Sequence, residues 1–158
     1  MAIRHTIAPD DDVRALLAEL DAHLQRFYAP DQRHAVSLAE LFQPNIAFFL
    51  AYAGGEPVAC GGVGFYDGYA ELKRLYSRPS ARGRGYARSI LTHLEEEACA
   101  RGERLLRLET GVHQPEAIRF YERAGFRPCR PFGPYAAMPA KAIALSLFFE
   151  KPLAAGEA

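Results

Sequence analysis

The chain has 158 residues, of which 49% are hydrophobic and 24% are charged. These are ordinary values for a globular protein, and the length favours one domain with a sizeable core. Nineteen basic residues balance nineteen acidic ones, so the overall charge gives no reason to expect nucleic acid or an acidic membrane as a partner. We therefore expect a single domain over residues 1–152 and a C-terminal tail over residues 153–158.

Three cysteines, Cys60, Cys99 and Cys129, are scattered without the spacing of a metal site. An odd, scattered set of this kind is typical of reduced thiols in the cytoplasm. Acidic residues interrupt the N-terminal segment at positions 10–12, and no apolar run reaches the ~20 residues that a transmembrane helix needs. We therefore expect a cytoplasmic protein with no signal peptide, membrane partner or bound metal.

The first half of the chain predicts a strand, two helices and three further strands. The predicted elements are a strand over 2–7, a helix that begins after Pro9, a short helix over 37–42, and strands over 46–52, 57–66 and 69–77. Gly54-Gly55 and Asp67-Gly68 are typical hairpin turns. The last three of these strands are therefore expected to form an antiparallel meander.

The second half of the chain alternates helices with strands. It predicts a helix over 86–101, a strand over 105–110, a helix that begins at Pro115 and is capped by Gly125, a short strand over 126–129, a proline-rich loop over 131–139 and a last strand over 143–150. This order indicates a mixed α/β sheet with helices on both faces.

The most informative motif is Arg-Gly-Arg-Gly-Tyr-Ala at positions 82–87, which fits the pattern Arg/Gln-x-x-Gly-x-Gly/Ala. It lies between a predicted strand and a predicted helix, so the first amides of that helix are unpaired. Together with the helix dipole, these amides form an anion site suited to a pyrophosphate. From Glu71 to Arg88 the chain also carries six basic side chains against one carboxylate, a distribution that attracts a small polyanion.

Two other phosphate-binding motifs are excluded. A dinucleotide-binding Gly-x-Gly-x-x-Gly needs a third glycine, and Arg88 occupies that position. The preceding strand also follows hairpins rather than opening a βαβ unit. A Walker loop needs Gly-Lys followed by Ser or Thr, and the sequence does not contain it.

Two linked segments resemble the GCN5-related N-acetyltransferase (GNAT) superfamily. Residues 71–87 are similar to its acetyl-CoA strand and pyrophosphate loop, and residues 117–126 match its signature Ala-x-x-Phe-Tyr-x-x-x-Gly-Phe. The element order extends the resemblance over nearly the whole chain. Within the superfamily, the stretch from residues 108–111 to residues 131–135 resembles a group of small bacterial acetyltransferases whose acceptors are often unassigned. The resemblance implies a GNAT fold, with a mixed, mostly antiparallel sheet of six or seven strands, about four helices, and a splay between the fourth and fifth strands.

The resemblance also implies where acetyl-CoA binds as a co-substrate. The end of the fourth strand would bond the pantetheine arm, and the loop amides would bind the pyrophosphate. The expected cofactor-binding residues are Leu75, Tyr76, Ser77, Arg82, Gly83, Arg84, Gly85, Tyr86, Ala87, Gln114, Ala117 and Tyr121. Two of them depart from the family pattern: Gln114 occupies a position where Asn is common, and Ser77 occupies one where an apolar residue is usual.

Two side chains are the catalytic candidates that the resemblance implies. Tyr121 matches the position of a general acid beside the thioester sulfur, with a core aromatic as the alternative. Glu71 stands where several relatives carry a general base, which is needed because an amine of pKa ~10.4 must lose a proton before it attacks. The alternatives are a surface glutamate paired with Lys73 or an arginine, and a water chain as the base. A backbone amide near Leu75 is the expected oxyanion donor.

The implied function is acetyl-CoA-dependent N-acetyl transfer to a primary amine of a small molecule or amino acid, by direct attack in a ternary complex. The alternatives are a non-catalytic acyl-CoA-binding sensor or interaction module with the same fold and an acetyltransferase that modifies proteins. The late loop with Phe132 and Tyr135 is interpreted equally well as a lid over the acceptor or as a crossover loop. The sequence is compatible with a homodimer through the final strands and does not indicate nucleic acid as a partner.

Overall fold

The structure, a computed structural model, describes residues 1–154, which form a seven-stranded sheet and four α-helices. The strands are β1 (Ala2–Thr6), β2 (Ile46–Ala53), β3 (Glu56–Tyr66), β4 (Tyr69–Ser77), β5 (Leu105–Gly111), β6 (Arg127–Pro128) and β7 (Ser146–Pro152). The helices are α1 (Asp11–Leu24), α2 (Leu38–Leu41), α3 (Tyr86–Ala100) and α4 (Pro115–Arg123). The predicted order of elements along the chain is confirmed.

The strands lie in the order β1-β2-β3-β4-β5-β7-β6. Neighbouring strands are antiparallel except for β4 and β5, which are parallel. The three strands β2, β3 and β4 form the expected meander, because short hairpin turns connect them. The prediction of a mixed, mostly antiparallel sheet is therefore confirmed.

Helices cover both faces of this sheet. Strand β2 alternates between them, because successive side chains of a strand point to opposite faces. Phe49 packs with Ile90 of α3, and Phe48 packs with Leu16 of α1. Helix α3 lies very close to β3 at Gly61, where an added Cβ atom would be 2.8 Å from Cγ2 of Ile90. This close approach fixes the helix whose first turn follows the glycine-rich loop.

The late loop and the last strand differ from the prediction. The proline-rich segment contains a short 3-10 turn over Gly133–Ala137, where Pro134 already has the φ angle that a helical turn needs. The last strand begins at Ser146 rather than at Ile143, because Ser146 pairs with Gly111, the final residue of β5, and residues 140–143 form another 3-10 turn. The apolar run from Ile143 onward gave no signal for that boundary.

The C-terminal segment is described only in part. Leu153, the first residue of the predicted tail, is buried, and its amide donates to the carbonyl of Arg104 at 2.8 Å. Residues 155–158 of that tail lie outside the described residues, and the single domain over 1–152 stays a prediction. Within residues 1–154, none of the helices combines the length and hydrophobicity that crossing a membrane requires.

Candidate active site

Strands β4 and β5 run side by side for a short distance and then separate. Their parallel pairing joins Ala70 to Leu106 and Glu71 to Arg107. Beyond these pairs β4 stays with β3, while β5 pairs with β7. This gap confirms the predicted splay between the fourth and fifth strands. It also leaves the end of β4 able to bond an extended ligand as an added strand would.

A β-bulge interrupts β4 beside the gap. Cys60 of β3 lies opposite Tyr76 and Gly62 lies opposite Lys73, so β4 has one residue more than β3 between these two pairs. Arg74, inside the bulge, has a φ angle of +56°, a left-handed conformation that non-glycine residues seldom adopt. A backbone strained in this way persists only where the surrounding structure holds it.

Helix α1 supplies that support. Nη2 of Arg74 donates to Oδ1 of Asp21 at 2.6 Å, and the Arg74 side chain is only 7% exposed. The carbonyl oxygen of Arg74 also accepts a weak hydrogen bond from Sγ of Cys60 at 3.5 Å. These contacts fix the backbone immediately before Leu75, the residue whose amide is the predicted oxyanion donor.

A cleft of about 640 Å³, which we call the cofactor cleft, lies at the end of β4. Its walls are the end of β4, the glycine-rich loop and the first turns of α3 and α4. All of the predicted cofactor-binding residues line it except Arg84, which is exposed on the loop. The motifs missed the part of the cleft wall that the N-terminal segment supplies, which includes Leu20 and His23 of α1 and Phe27 beyond it. Helix spacing in that segment indicated only a core-facing surface.

The glycine-rich loop has the geometry of an anion site. Gly83 and Gly85 have φ angles of +82° and +80°, and Gly85 is the N-cap of α3. The first backbone hydrogen bond of the helix runs from Ser89 N to Gly85 O at 3.0 Å. The amides of the three residues between them therefore precede the hydrogen-bonded part of the helix and lie at its positive end. Such an arrangement accepts a phosphate group.

Tyr121 lies where the cofactor cleft meets a second cavity. Its side chain belongs to α4, is 8% exposed and lines both spaces. Burial, and next the Glu109 carboxylate, raise the pKa of the Tyr121 hydroxyl above its ordinary value. The hydroxyl therefore keeps its proton at neutral pH and is available as a hydrogen-bond donor.

Gln114 lies at the same boundary and lines both spaces. Its side-chain oxygen lies 3.1 Å from Nε2 of His23. Its amide nitrogen is buried and has no hydrogen-bond partner within residues 1–154. An amide nitrogen is a donor only, so this one is free to bind an acceptor atom of a ligand.

The second space, which we call the carboxylate cavity, has a volume of about 170 Å³. Glu71 lines it and is 3% exposed, so it is a buried residue and not a surface glutamate. Both of its oxygens have partners: Oε1 lies 3.1 Å from Nζ of Lys73, and Oε2 accepts from the hydroxyl of Tyr135 at 2.8 Å. The predicted pairing with Lys73 therefore exists, but in the interior.

Burial and the neighbouring Glu71 carboxylate shift the pKa values of both partners of Glu71. Burial lowers the pKa of Lys73, but the Glu71 carboxylate and the Tyr66 hydroxyl raise it, and the net result is a raised pKa. Burial, followed by the charge of Glu71, raises the pKa of Tyr135. At neutral pH Glu71 therefore faces the ammonium group of Lys73 and the protonated phenol of Tyr135.

Glu109 is a functional candidate that the sequence analysis missed. It belongs to β5 and lines the carboxylate cavity. Burial raises its pKa; a hydrogen bond with Ser146 and the charge of His34 oppose this rise, and the charge of Glu71 adds to it. The sequence did contain a signal for Glu109. Side chains of a strand alternate between its two faces, so Glu109 lies on the face opposite to that of the buried Leu106 and Leu108.

Within residues 1–154, the structure contains no cluster of histidine, cysteine and acidic side chains that could hold a metal ion. The polar groups that line the two spaces instead include the carboxylates of Glu71 and Glu109 in the carboxylate cavity, the protonated Tyr121 at the boundary, and backbone amides. This set fits proton transfer and the stabilisation of a developing oxyanion.

Comparisons with known proteins agree with this arrangement. A model of the acetyltransferase (GNAT) family matches residues 14–126. The chain is 41% identical over 145 residues to the IAA acetyltransferase of Azospirillum brasilense, covering 90% of this chain and 92% of the relative. It is 32% identical over 132 residues to the aminoalkylphosphonate N-acetyltransferase of Salmonella typhimurium, covering 79% and 84%.

A solved structure supports the same conclusion. The crystal structure of a Klebsiella pneumoniae protein, assigned as an acyl-CoA N-acyltransferase, has a TM-score of 0.80 and 33% identity, and the match covers 97% of each chain. The family match spans the glycine-rich loop and the Tyr121 helix, which are the segments that form the cofactor cleft. The chain therefore belongs to the GNAT family of acetyltransferases, enzymes that transfer an acetyl group from acetyl-CoA to an amine.

Proposed function

We propose that this enzyme acetylates a primary amine of a small molecule or amino acid by direct attack on acetyl-CoA in a ternary complex. The observation that carries this proposal is the wall shared by the cofactor cleft and the carboxylate cavity, formed by Leu20, Leu75, Gln114, Ala117 and Tyr121. A thioester in the cleft and an amine in the cavity would meet at this wall, so that proximity supplies much of the acceleration. The name of the Salmonella relative supports small amines as acceptors.

The cofactor would lie along the predicted residues. The backbone of Leu75, Tyr76 and Ser77 would bond the pantetheine arm, and the amides between residues 82 and 87 would bind the pyrophosphate. Nε of Arg82 donates to the carbonyl of Ser77 at 3.2 Å and so joins the loop to the strand end. The free amide nitrogen of Gln114 would serve a carbonyl oxygen of the arm.

Tyr121 would act on the departing sulfur. A thiol has an ordinary pKa of ~8.5 and an unperturbed tyrosine one of ~10, so full proton transfer from a tyrosine of raised pKa to a thiolate is uphill. The hydroxyl would therefore stabilise the thiolate mainly by donating a hydrogen bond. The amide of Leu75, just after the strained Arg74, would donate to the carbonyl oxygen as it becomes an oxyanion.

We propose Glu109 as the group that takes the proton from the amine. Both oxygens of Glu71 already accept from Lys73 and Tyr135, whereas the pKa of Glu109 is raised by burial, which makes its carboxylate a stronger base. Glu71 would contribute by its charge, which adds to that rise. The earlier prediction that Glu71 itself is the base is the direct competitor of this proposal.

Replacing Tyr121 by Phe tests the role at the sulfur. We expect Tyr121→Phe to lower kcat by about 100-fold and to leave the affinity for CoA nearly unchanged, because the ring and its packing are retained. Stopped assays of thiol release and calorimetric binding of CoA give the two quantities. Unchanged turnover would leave Tyr121 with a structural role only.

The pH profile separates the two carboxylates. A base must be deprotonated, so kcat/KM should fall as the pH falls through the raised pKa of Glu109. Glu109→Gln should remove this acidic limb and lower kcat/KM by about 100-fold or more. Glu71→Gln should reduce activity but keep the acidic limb of the pH profile. Glu96→Gln, which changes an exposed glutamate on α3 in the same way, is the matched control. Loss of the limb in Glu71→Gln alone would assign the base to Glu71.

Two further expectations stay proposals of the same kind. A homodimer through the final strands would cover β6, a two-residue strand at the sheet edge, and light scattering of the purified protein tests it. Cytoplasmic placement is supported by the three cysteines, which are all free in the structure. Fractionation of the native host cell tests this placement.

A further inference from the structure

We infer that the acceptor is a small amine that also carries an acidic group, carboxylate or phosphonate, which the guanidinium groups of Arg33 and Arg74 bind in the carboxylate cavity. This inference rests on the proposed function and goes further, because it names the second recognition group of the acceptor. It follows from the unpaired donors, the charges and the fixed geometry of that cavity.

The cavity wall contains buried donors for which the described part of the chain supplies no acceptor. Nε of Arg33 and Nε of Arg74 are both buried and have no hydrogen-bond partner within residues 1–154, and both residues line the cavity. A guanidinium group donates only, and each buried donor without a partner destabilises the protein. A ligand that supplies acceptor oxygens at this wall removes that cost.

The charges of the lining also leave room for an anion. Lys73 and Glu71 neutralise each other at 3.1 Å. This leaves Glu109 and the guanidinium groups of Arg33 and Arg74 in the lining, and Asp21, which lies outside the lining, pairs with Nη2 of Arg74. An amine directed at Glu109 and an acidic group directed at the two arginines would therefore complement the cavity.

The geometry of Arg74 is fixed before any acceptor binds. Asp21 binds Nη2 of Arg74 at 2.6 Å from α1, and the left-handed backbone of Arg74 lies inside the bulge. Asp21 has a 44% exposed side chain and accepts from Nη2 of the guanidinium, while Nε stays unpaired. Arginine binds planar oxyanions through several donors at once, so a fixed guanidinium with a free Nε is well suited to a carboxylate or phosphonate.

Matched pairs of amines test the inference on the unmodified enzyme. Glycine is compared with glycinamide, β-alanine with β-alaninamide, and 2-aminoethylphosphonate with ethanolamine, at saturating acetyl-CoA. We expect the acidic member to have a kcat/KM at least about tenfold higher in at least one pair, since a hydrogen bond to a charged group contributes about that factor or more. The amide of each amino-acid pair is the less basic amine, so easier proton loss cannot produce this preference.

Arg33→Gln supplies the matching change in the protein. We expect it to raise KM for the preferred acidic amine by about 10- to 100-fold, a larger factor than for the neutral member of the pair. Arg130→Gln removes the same charge from an exposed residue that does not line the cavity and should change neither value. Thermal unfolding of both variants shows whether they are folded. The comparison of the matched amines on the wild-type enzyme does not depend on either variant.

Each outcome decides the inference. Neutral amines acetylated as fast as acidic ones would overturn the inference and leave the acetyltransferase proposal standing. A preference for phosphonate over carboxylate, or the reverse, supports the inference and identifies the acidic group. If no member of the panel is acetylated, calorimetric binding to the CoA-saturated protein replaces turnover, and acidic members that bind no better than neutral ones would refute it.

Discussion

Substitution of Gly85 tests whether the loop before α3 binds a diphosphate. Gly85 is exposed, its φ angle is +80°, and an added Cβ atom would have no other atom within 4 Å. Asn and Asp both tolerate this left-handed conformation better than other non-glycine residues, and both are good N-cap residues. Gly85→Asn and Gly85→Asp therefore differ mainly by one negative charge.

The expected size of the charge effect follows from the exposure of this site. In water, two unit charges about 6 Å apart interact by about 0.7 kcal/mol. A diphosphate with about two negative charges would therefore be repelled by about 1.4 kcal/mol, which is about tenfold in Kd. A partly reduced dielectric constant of about 40 would double the energy and give about 100-fold.

Calorimetric titration of CoA into both variants measures the difference. At roughly 0.1 M salt, we expect Gly85→Asp to bind CoA about 10- to 100-fold more weakly than Gly85→Asn, by the same electrostatic reasoning. The ratio of the two Kd values should shrink at roughly 1 M salt, where the screening length falls to about 3 Å. Thermal unfolding should give similar values for the two variants. Equal affinities for CoA, or a gap that salt does not change, would refute the assignment of this loop as the pyrophosphate site.

Three further predictions concern the buried surroundings of the site. Gly61→Ala should lower the free energy of unfolding in urea by about 1–3 kcal/mol, because its Cβ atom would be 2.8 Å from Cγ2 of Ile90; an unchanged midpoint would contradict the tight packing of α3. Tyr135→Phe should lower that free energy by about 1.5–3 kcal/mol, since it removes a donor from the buried Glu71 carboxylate, and an unchanged value would mean that this hydrogen bond contributes nothing. Burial raises the pKa of Cys60 to about 12, so a thiol reagent at roughly pH 8 should label Cys60 only in unfolded protein. Mass spectrometry that finds the label on Cys60 of the native protein would contradict this prediction.

The elements that sequence analysis predicted well are those set by local chemistry. Alternating apolar residues bounded by Gly54-Gly55 and Asp67-Gly68 were enough to place the meander, because hairpin turns restrict their residue types strongly. The glycine-rich loop was also predictable, since Gly85 must adopt a positive φ angle where the strand turns into the helix. These signals depend on a few neighbouring residues and not on distant contacts.

The parts that could not be predicted depend on tertiary contacts. Nothing in the residue type of Arg74 signals a left-handed conformation, which is held by Asp21 of a helix more than fifty residues away in sequence. The burial of Glu71 likewise required Tyr135 from the late loop, whose interpretation as lid or crossover was open. Tyr135 is buried and bonded to Glu71, so it forms a fixed wall of the cavity.

The bulge divides strand β4 between two tasks. Before it, Glu71 and Lys73 present side chains to the carboxylate cavity; after it, Tyr76 and Ser77 line the cofactor cleft. Side chains can be exchanged by mutation, whereas main-chain groups are the same for every residue except proline. Selection for a new acceptor could thus change the upstream half of the strand without disturbing the donor of the acetyl group, which offers one physical reason why closely related enzymes of this fold diverge in what they modify.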